Sequence, residues 1–252
     1  MFTPAGVWAK LACMPPPALR ISRLAKSFGR SCAVAGLDLE IADGEFFGLV
    51  GANGAGKTTL IKCVLDFCLA DEGSIEIFGT DHRRTDSRAR IAYLPERFVP
   101  PYYLRGRDFL RYSCALHRRS YAEDETQALL AALELEAGAL DKPVRAYSKG
   151  MTQKLGLAAC LLSGKDLHIL DEPTSGLDPK ARALLKQALR QQHAAGRTLV
   201  MTSHALQDVG EMCTRMAVIH GGRLRYAGTP AAFAAAHGGC LETAYLECIR
   251  HG

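Results

Sequence analysis

GANGAGKTT, residues 51–59, follows the apolar run FFGLV at 46–50 and leads into LIKCVLDFC. Glycines at 51, 54 and 56 free the backbone to curl until successive N–H groups face one point. The spacing of Gly51, Gly56, Lys57 and Thr58 is that of a phosphate-binding loop, with a strand predicted before it and a helix over 57–68 after it. In such a loop the backbone of Asn53, Gly54, Ala55 and Gly56 surrounds a β-phosphate, and Lys57 reaches the β- and γ-oxygens. Thr58 and Thr59 open the helix, with the Thr58 hydroxyl as a ligand of Mg²⁺.

Three further segments, IAYL at 91–94, LHIL at 167–170 and TLVMTS at 198–203, are short apolar runs without polar alternation. Such runs are buried on both faces, which predicts a mostly parallel sheet with helices on either side. Asp178 before Pro179 reads as the N-cap and first residue of a helix over 179–193. Hairpins are expected at 74–79 and 217–228, the second turning at Gly221-Gly222. Residues 106–164 lack strand signals and carry Leu, Ala, Glu and Arg at helical spacing, after which strands resume.

The expected fold class is α/β: a P-loop NTPase-type core with a small antiparallel β part and an inserted helical subdomain at about 100–164, within a unit of 19–235. Residues 1–18, with prolines at 15–17, read as a loose extension or as lying upstream of a start at Met14. Residues 236–252 read as a tail, with apolar residues at helical spacing over 241–249.

LHILDEP lifts Asp171 to the carboxyl end of a strand, where open α/β sheets bind ligands. Asp171 can hold a Mg²⁺ shell there, and Glu172 beside it can polarise water attacking a γ-phosphate. A second helix start, YSKGMTQKLGLA at 147–158, presents free N–H groups and the Ser148 hydroxyl to an anion. Within one chain it duplicates residues 51–59; across a two-fold interface it is useful, and as a simple N-cap Ser148 fits equally.

The order GANGAGKTT, YSKGM, LHILDE, SGLD at 175–178 and TSH at 202–204 resembles the motif series of ATP-binding cassette (ABC) ATPases, over about residues 19–230. The YSKGM form is similar to that of an ABC-2 type exporter branch whose ATPase and membrane subunits are separate chains. The resemblance implies a homodimer closing around two ATP molecules, hydrolysis of ATP with Mg²⁺, and a separate transmembrane permease. It also implies a cytoplasmic location, peripheral on the inner face of the cell membrane, with the helical lobe and residues 96–107 as the docking surface.

The same resemblance assigns residues. Ser148 and Gly150 would cap the γ-phosphate held by the partner chain, whereas His204 would be a switch histidine that contacts the γ-phosphate. Asp178 would be an interface aspartate, with an N-cap as the alternative. Phe28 would stack on adenine, with a core position as the alternative. Glu172, His204 and Lys57 are then the catalytic candidates, and Thr58, Glu96 and Asp171 the metal ligands. The chain departs from the family pattern in its signature, where Lys149 and Met151 replace a glycine and the glutamine of LSGGQ. It departs again at Glu96, where a carboxylate replaces a glutamine: a metal ligand is kept and a hydrogen-bond donor lost.

Composition narrows the alternatives. With 48% hydrophobic and 23% charged residues, the 252-residue chain has the make-up of a folded globular protein. No apolar run approaches the ~20 residues of a membrane span. Nine cysteines show no metal-ligand spacing and read as buried thiols. A net charge of +5 without a basic run fits an anionic partner and a solvated surface alike, and nucleic acid is not expected. The rival reading is a soluble ABC-type ATPase acting on nucleic acid or the ribosome, but the long coiled coils or second cassette of such proteins are missing. A GTPase is excluded because Asn53 is the only asparagine, so no guanine-reading NKxD motif exists.

Overall fold

In this computed structural model, which describes residues 15–236 and 238–250, two long strands come first, β1 (Leu19–Phe28) and β2 (Ser31–Ile41). They are followed by β3 (Phe46–Val50), α1 (Lys57–Val64), β4 (Glu72–Ile77), β5 (Thr80–Asp81), α2 (Thr85–Arg88) and β6 (Ile91–Leu94). Helices α3 (Gly106–Leu116), α4 (Glu123–Ala132) and α5 (Lys149–Leu162) make the helical insertion. The core then resumes with β7 (Leu167–Leu170), α6 (Pro179–Ala194), β8 (Thr198–Ser203) and α7 (Leu206–Met212). The hairpin β9 (Arg215–His220) and β10 (Arg223–Gly228) leads to α8 (Pro230–Ala235) and α9 (Leu241–Arg250).

A six-stranded sheet has the order β10-β9-β3-β8-β7-β6 and is parallel except at β10. A four-stranded antiparallel sheet has the order β2-β1-β4-β5. Consecutive strand residues point to opposite faces, which separates two apolar cores. Phe46, Leu170 and Met201 face one shared with Leu155 of α5 and Leu189 of α6. Phe47, Ile169 and Val200 face the other, shared with Ile61 of α1 and Ile75 of β4. The insertion therefore packs onto the same core as the sheet.

The apolar runs at 46–50, 91–94, 167–170 and 198–203 are strands with the expected bounds. The helix expected over 57–68 stops at Val64, because Asp66 takes φ 60° and the Phe67 and Cys68 N–H groups both turn back to the Lys62 carbonyl. The hairpin expected at 74–79 starts earlier: β4 pairs mainly with β1, and Phe78-Gly79, at φ 48° and 74°, turns the chain into β5. Gly221-Gly222 turns the β9–β10 hairpin as expected, at φ 56° and 73°.

Two ends also differ from expectation. Ala18 is buried and its carbonyl accepts the Phe78 N–H, so the folded body begins ahead of residue 19. Residues 1–14, with Met14 and Cys13, lie outside the described residues. The tail helix spans Leu241–Arg250 and starts only after Gly238 and Gly239, at φ 83° and 86°. The cysteines among the described residues are all free; Cys63, Cys114, Cys160 and Cys213 are buried as expected, whereas Cys32 and Cys240 are exposed.

Leu155, fully buried beneath the sheet, tests the shared core. Leu155→Ala is expected to cost about 2–5 kcal/mol of stability, read as a lower denaturant midpoint at unchanged slope; a loss confined to the helical insertion would appear as a second transition.

Candidate active site

Parallel register brings the carboxyl ends of the central strands level, with Val50 beside Ser203, Met201 beside Leu170, and Leu170 beside Leu94. The loops leaving that edge enclose a cleft of about 460 Å³, lined by residues 52–59 together with Ala33, Glu96, Asp171, Glu172, Ser175 and His204.

The glycines of the 51–59 loop are set by close backbone packing. A Cβ on Gly56, which has φ 109°, would lie 2.2 Å from the Ala33 carbonyl oxygen, and one on Gly51 would lie 2.5 Å from that of Ile219. The Gly222 N–H donates to the Ala55 carbonyl, tying the loop to the β9–β10 turn. Lys57 starts α1 with no acidic residue in the first turn. Its ammonium is buried, donating to the carbonyls of Gly51 at 2.5 Å and Ala52 at 3.3 Å and lying 3.9 Å from Glu172 Oε1. Burial lowers its pKa, and the carboxylates of Glu172, Asp171 and Glu96 oppose that shift. A loop of converging amides and a desolvated cation is built to receive phosphate oxygens.

Asp171 and Glu172 share one hydroxyl. Thr202 Oγ1 donates to Asp171 Oδ1 at 2.6 Å and accepts from the Glu172 N–H at 2.8 Å. Glu172 has φ 49°, a conformation that costs a non-glycine residue roughly 1–3 kcal/mol and persists where its surroundings impose it. Its side chain is 8% exposed, and Oε2 lies 2.8 Å from Nδ1 of His204, whose side chain is 63% exposed. A buried carboxylate held by an exposed imidazole on one side and facing an ammonium on the other can take a proton from water. Asp171, Thr58 and Glu96 present oxygen donors on the same cleft, a set that suits a hard divalent cation.

Of the residues singled out in the sequence, Asn53, Gly54, Ala55, Gly56, Lys57, Thr58, Thr59, Glu96, Asp171, Glu172 and His204 line the cleft together. Gly51 lies beneath it and holds Lys57 through its carbonyl. Phe28 is 54% exposed, which rules out the core alternative; it ends β1 at the hairpin tip, next to the β2 strand whose Ala33 lines the cleft. Phe28, Ser148, Gly150 and Asp178 do not line the cleft. Ser148 caps α5 by accepting the Met151 N–H at 3.2 Å. Asp178 caps α6 by accepting the Ala181 N–H at 2.9 Å, a bond that holds its carboxyl below the usual carboxylate range.

Sequence reasoning passed over Thr202, Ser175 and Ala33. The first two sit inside quoted motifs, but the bridge from Thr202 to Asp171 depends on the register of β7 against β8, which no local pattern carries. Ala33 has no signal in the sequence at all.

Fold and cleft together define an ATPase of the ATP-binding cassette type. A family model described as "ABC transporter" matches residues 34–175, and the chain belongs to that family as an ATP-binding, ATP-hydrolysing subunit. It is 37% identical over 234 residues to the Nod factor export ATP-binding protein I of Paraburkholderia xenovorans, across 90% of this chain and 76% of that one. It is 38% identical over 232 residues to the protein of the same name from Sinorhizobium fredii, across 88% and 66%. A solved structure of an ATP-binding subunit of an ABC transporter is similar at TM-score 0.83 and 28% identity, covering 92% of this chain and 99% of the other. Among the described residues no helix is long and apolar enough to cross a membrane.

Thr202→Val keeps the volume and removes the shared hydroxyl, leaving the buried Glu172 N–H without its partner at a cost of about 1–3 kcal/mol. ATP turnover is expected to fall about 10–100-fold, the scale for losing a group that orients a reacting one, while affinity for a fluorescent ATP analogue changes little. Parallel loss of binding and turnover would instead mean that Thr202 shapes the phosphate loop.

Proposed function

We propose that this chain is the ATP-driven motor of an exporter, acting as a homodimer that closes around two ATP molecules and docks on a separate transmembrane permease. It works at the cytoplasmic face of the membrane as a peripheral subunit. The observation that carries the reading is Glu172, held 2.8 Å from His204 and facing Lys57 across the phosphate loop. Export is supported by the names of the relatives at 37% and 38% identity. Docking is supported by Val99, Tyr102 and Tyr103, which lie exposed ahead of α3 in a proline-containing loop that suits a partner helix.

In this mechanism the amides of residues 53–56 and the Lys57 ammonium hold the β- and γ-phosphates. Asp171, Thr58 and Glu96 would hold Mg²⁺, which when bound supplies charge neutralisation at the phosphate oxygens. Glu172 accepts a hydrogen bond from the attacking water and takes its proton. The water oxygen bonds to the γ-phosphorus as the bond to the bridging oxygen breaks, leaving ADP and phosphate. His204 holds the Glu172 carboxylate in place. Phe28, half-exposed with Lys26 Nζ 5.3 Å over its ring, would stack adenine on its open side. Ser148, Gly150 and Asp178, which lie outside their own chain's cleft, serve the partner's γ-phosphate and the dimer interface.

Glu172→Gln should keep ATP binding, lower hydrolysis by ~10²-fold or more, and accumulate an ATP-bound dimer in the assembled transporter. Hydrolysis within a few-fold of the wild type would remove Glu172 from this role.

Action across the dimer has its own test. Chains carrying Ser148→Arg and chains carrying Lys57→Ala are each expected to be inactive. When mixed, both defects fall on one composite site and the other is intact, so the heterodimer should regain hydrolysis. A Ser148→Arg homodimer that hydrolyses ATP normally would reduce YSKGM to a helix cap.

A further inference from the structure

Helices α6 and α7 both start beside the cleft. α6 begins at its cap, Asp178, on the loop that carries Ser175, and α7 begins just after His204. Further along, a buried ion pair joins the two helices. Lys186 Nζ lies 2.6 Å from Asp208 Oδ1 and 2.8 Å from Glu211 Oε2. The side chains of Lys186 and Asp208 are 10% and 2% exposed. The second Asp208 oxygen, Oδ2, is buried without a hydrogen-bond partner among the described residues. A groove of about 410 Å³ runs past the pair, reaching Leu177 and Pro179 at the head of α6.

Stability alone is a poor explanation for this arrangement. Asp208 and Glu211 together more than offset the desolvation of the Lys186 ammonium, whose pKa is raised, but apolar side chains of similar volume hold two helices about as well as a buried ion pair does. Leu185 and Leu189 of α6 and Leu206, Val209 and Met212 of α7 belong to the same apolar core. What a buried ion pair adds is a fixed position. Apolar surfaces slide at little cost, whereas displacing a desolvated ammonium from its carboxylate is expensive. α7 is also held from another side, where a Cβ on Gly210 would come within 2.6 Å of Leu241 Cδ1 of α9.

We infer that Lys186 and Asp208 are positioning residues for ATP hydrolysis. Their ion pair sets the position of His204, at the head of α7, relative to the loop 175–178 at the head of α6. It therefore controls how the His204–Glu172 contact meets the part of the chain that faces the dimer partner. This inference rests on the role proposed above for His204 and Glu172.

The test is the double variant Lys186→Met with Asp208→Leu, measured in the assembled transporter beside Glu172→Gln. The apolar pair should unfold at or above the wild-type temperature and keep KM for ATP within about two-fold, while kcat falls about 10-fold or more. A structural pair would behave differently: stability and kcat would both be retained, and kcat within about two-fold of the wild type overturns the inference. If the double variant does not fold, Asp208→Asn replaces it, since Glu211 still holds Lys186; the same drop in kcat at constant KM is expected, and its absence is equally fatal. Impaired Glu172→Gln with a normal apolar pair sinks this inference alone, whereas normal hydrolysis in both sinks the reading beneath it.

Discussion

The hydroxyl of Thr202 holds the acidic half of the cleft together. It donates to Asp171 and accepts from the backbone of Glu172, so two adjacent carboxylates from one strand end are fixed by a single group on the neighbouring strand. With the Ser175 N–H on the Glu172 carbonyl, that bond holds Glu172 at positive φ, where its side chain turns toward His204 and Lys57. The bond exists because β7 and β8 run parallel with Leu170 beside Met201, which sets Asp171 and Thr202 level one step further on. Strand register is thus translated directly into the placement of reactive groups.

Charge distribution around the helix starts points the same way. α4, remote from the cleft, neutralises its first turn with Glu123, Asp124 and Glu125. α1 and α5 carry no acidic residue in their first turns and instead place Lys57 and Lys149 there. A cation at a helix N-terminus opposes the helix dipole, which favours negative charge at that end. Both starts are therefore left electropositive, and an arriving anion relieves both. In α1 the effect is strongest, because Lys57 is buried with carbonyl oxygens as its nearest partners.

Packing, not hydrogen bonding alone, makes the phosphate loop rigid. Gly51 and Gly56 sit against carbonyls of Ile219 and Ala33, so the loop is pressed between β9 and β2, and the Gly222 turn closes over it. Behind the acidic residues, α6 and α7 belong to one apolar core and are joined by the Lys186–Asp208 pair, and α9 braces α7. The moving parts expected of such an ATPase are thereby mounted on elements whose spacing is closely defined.

Local chemistry determined much of this. The buried strands read correctly because residues covered on both faces must be apolar at every position, and that shows in five consecutive letters such as FFGLV. The phosphate loop, the Asp178–Pro179 helix start and the Gly221-Gly222 turn were legible for the same kind of reason: each depends on the conformational or hydrogen-bonding habit of residues adjacent in the chain. β1 and β2 carry no such signal along their full length, since register irregularities between Ile21 and Ser27 break the alternation in β1 and the first part of β2 is mostly exposed, and the end of α1 is hidden because Asp66 turns the chain without a glycine. What only the tertiary structure decided were relations between distant segments: that Thr202 meets Asp171, that Ala33 reaches Gly56, that Phe28 stays exposed, and that Lys186 finds Asp208. Those depend on sheet order and on register across strands and helices far apart in the chain, and a linear pattern carries no record of which segment its neighbour in space will be.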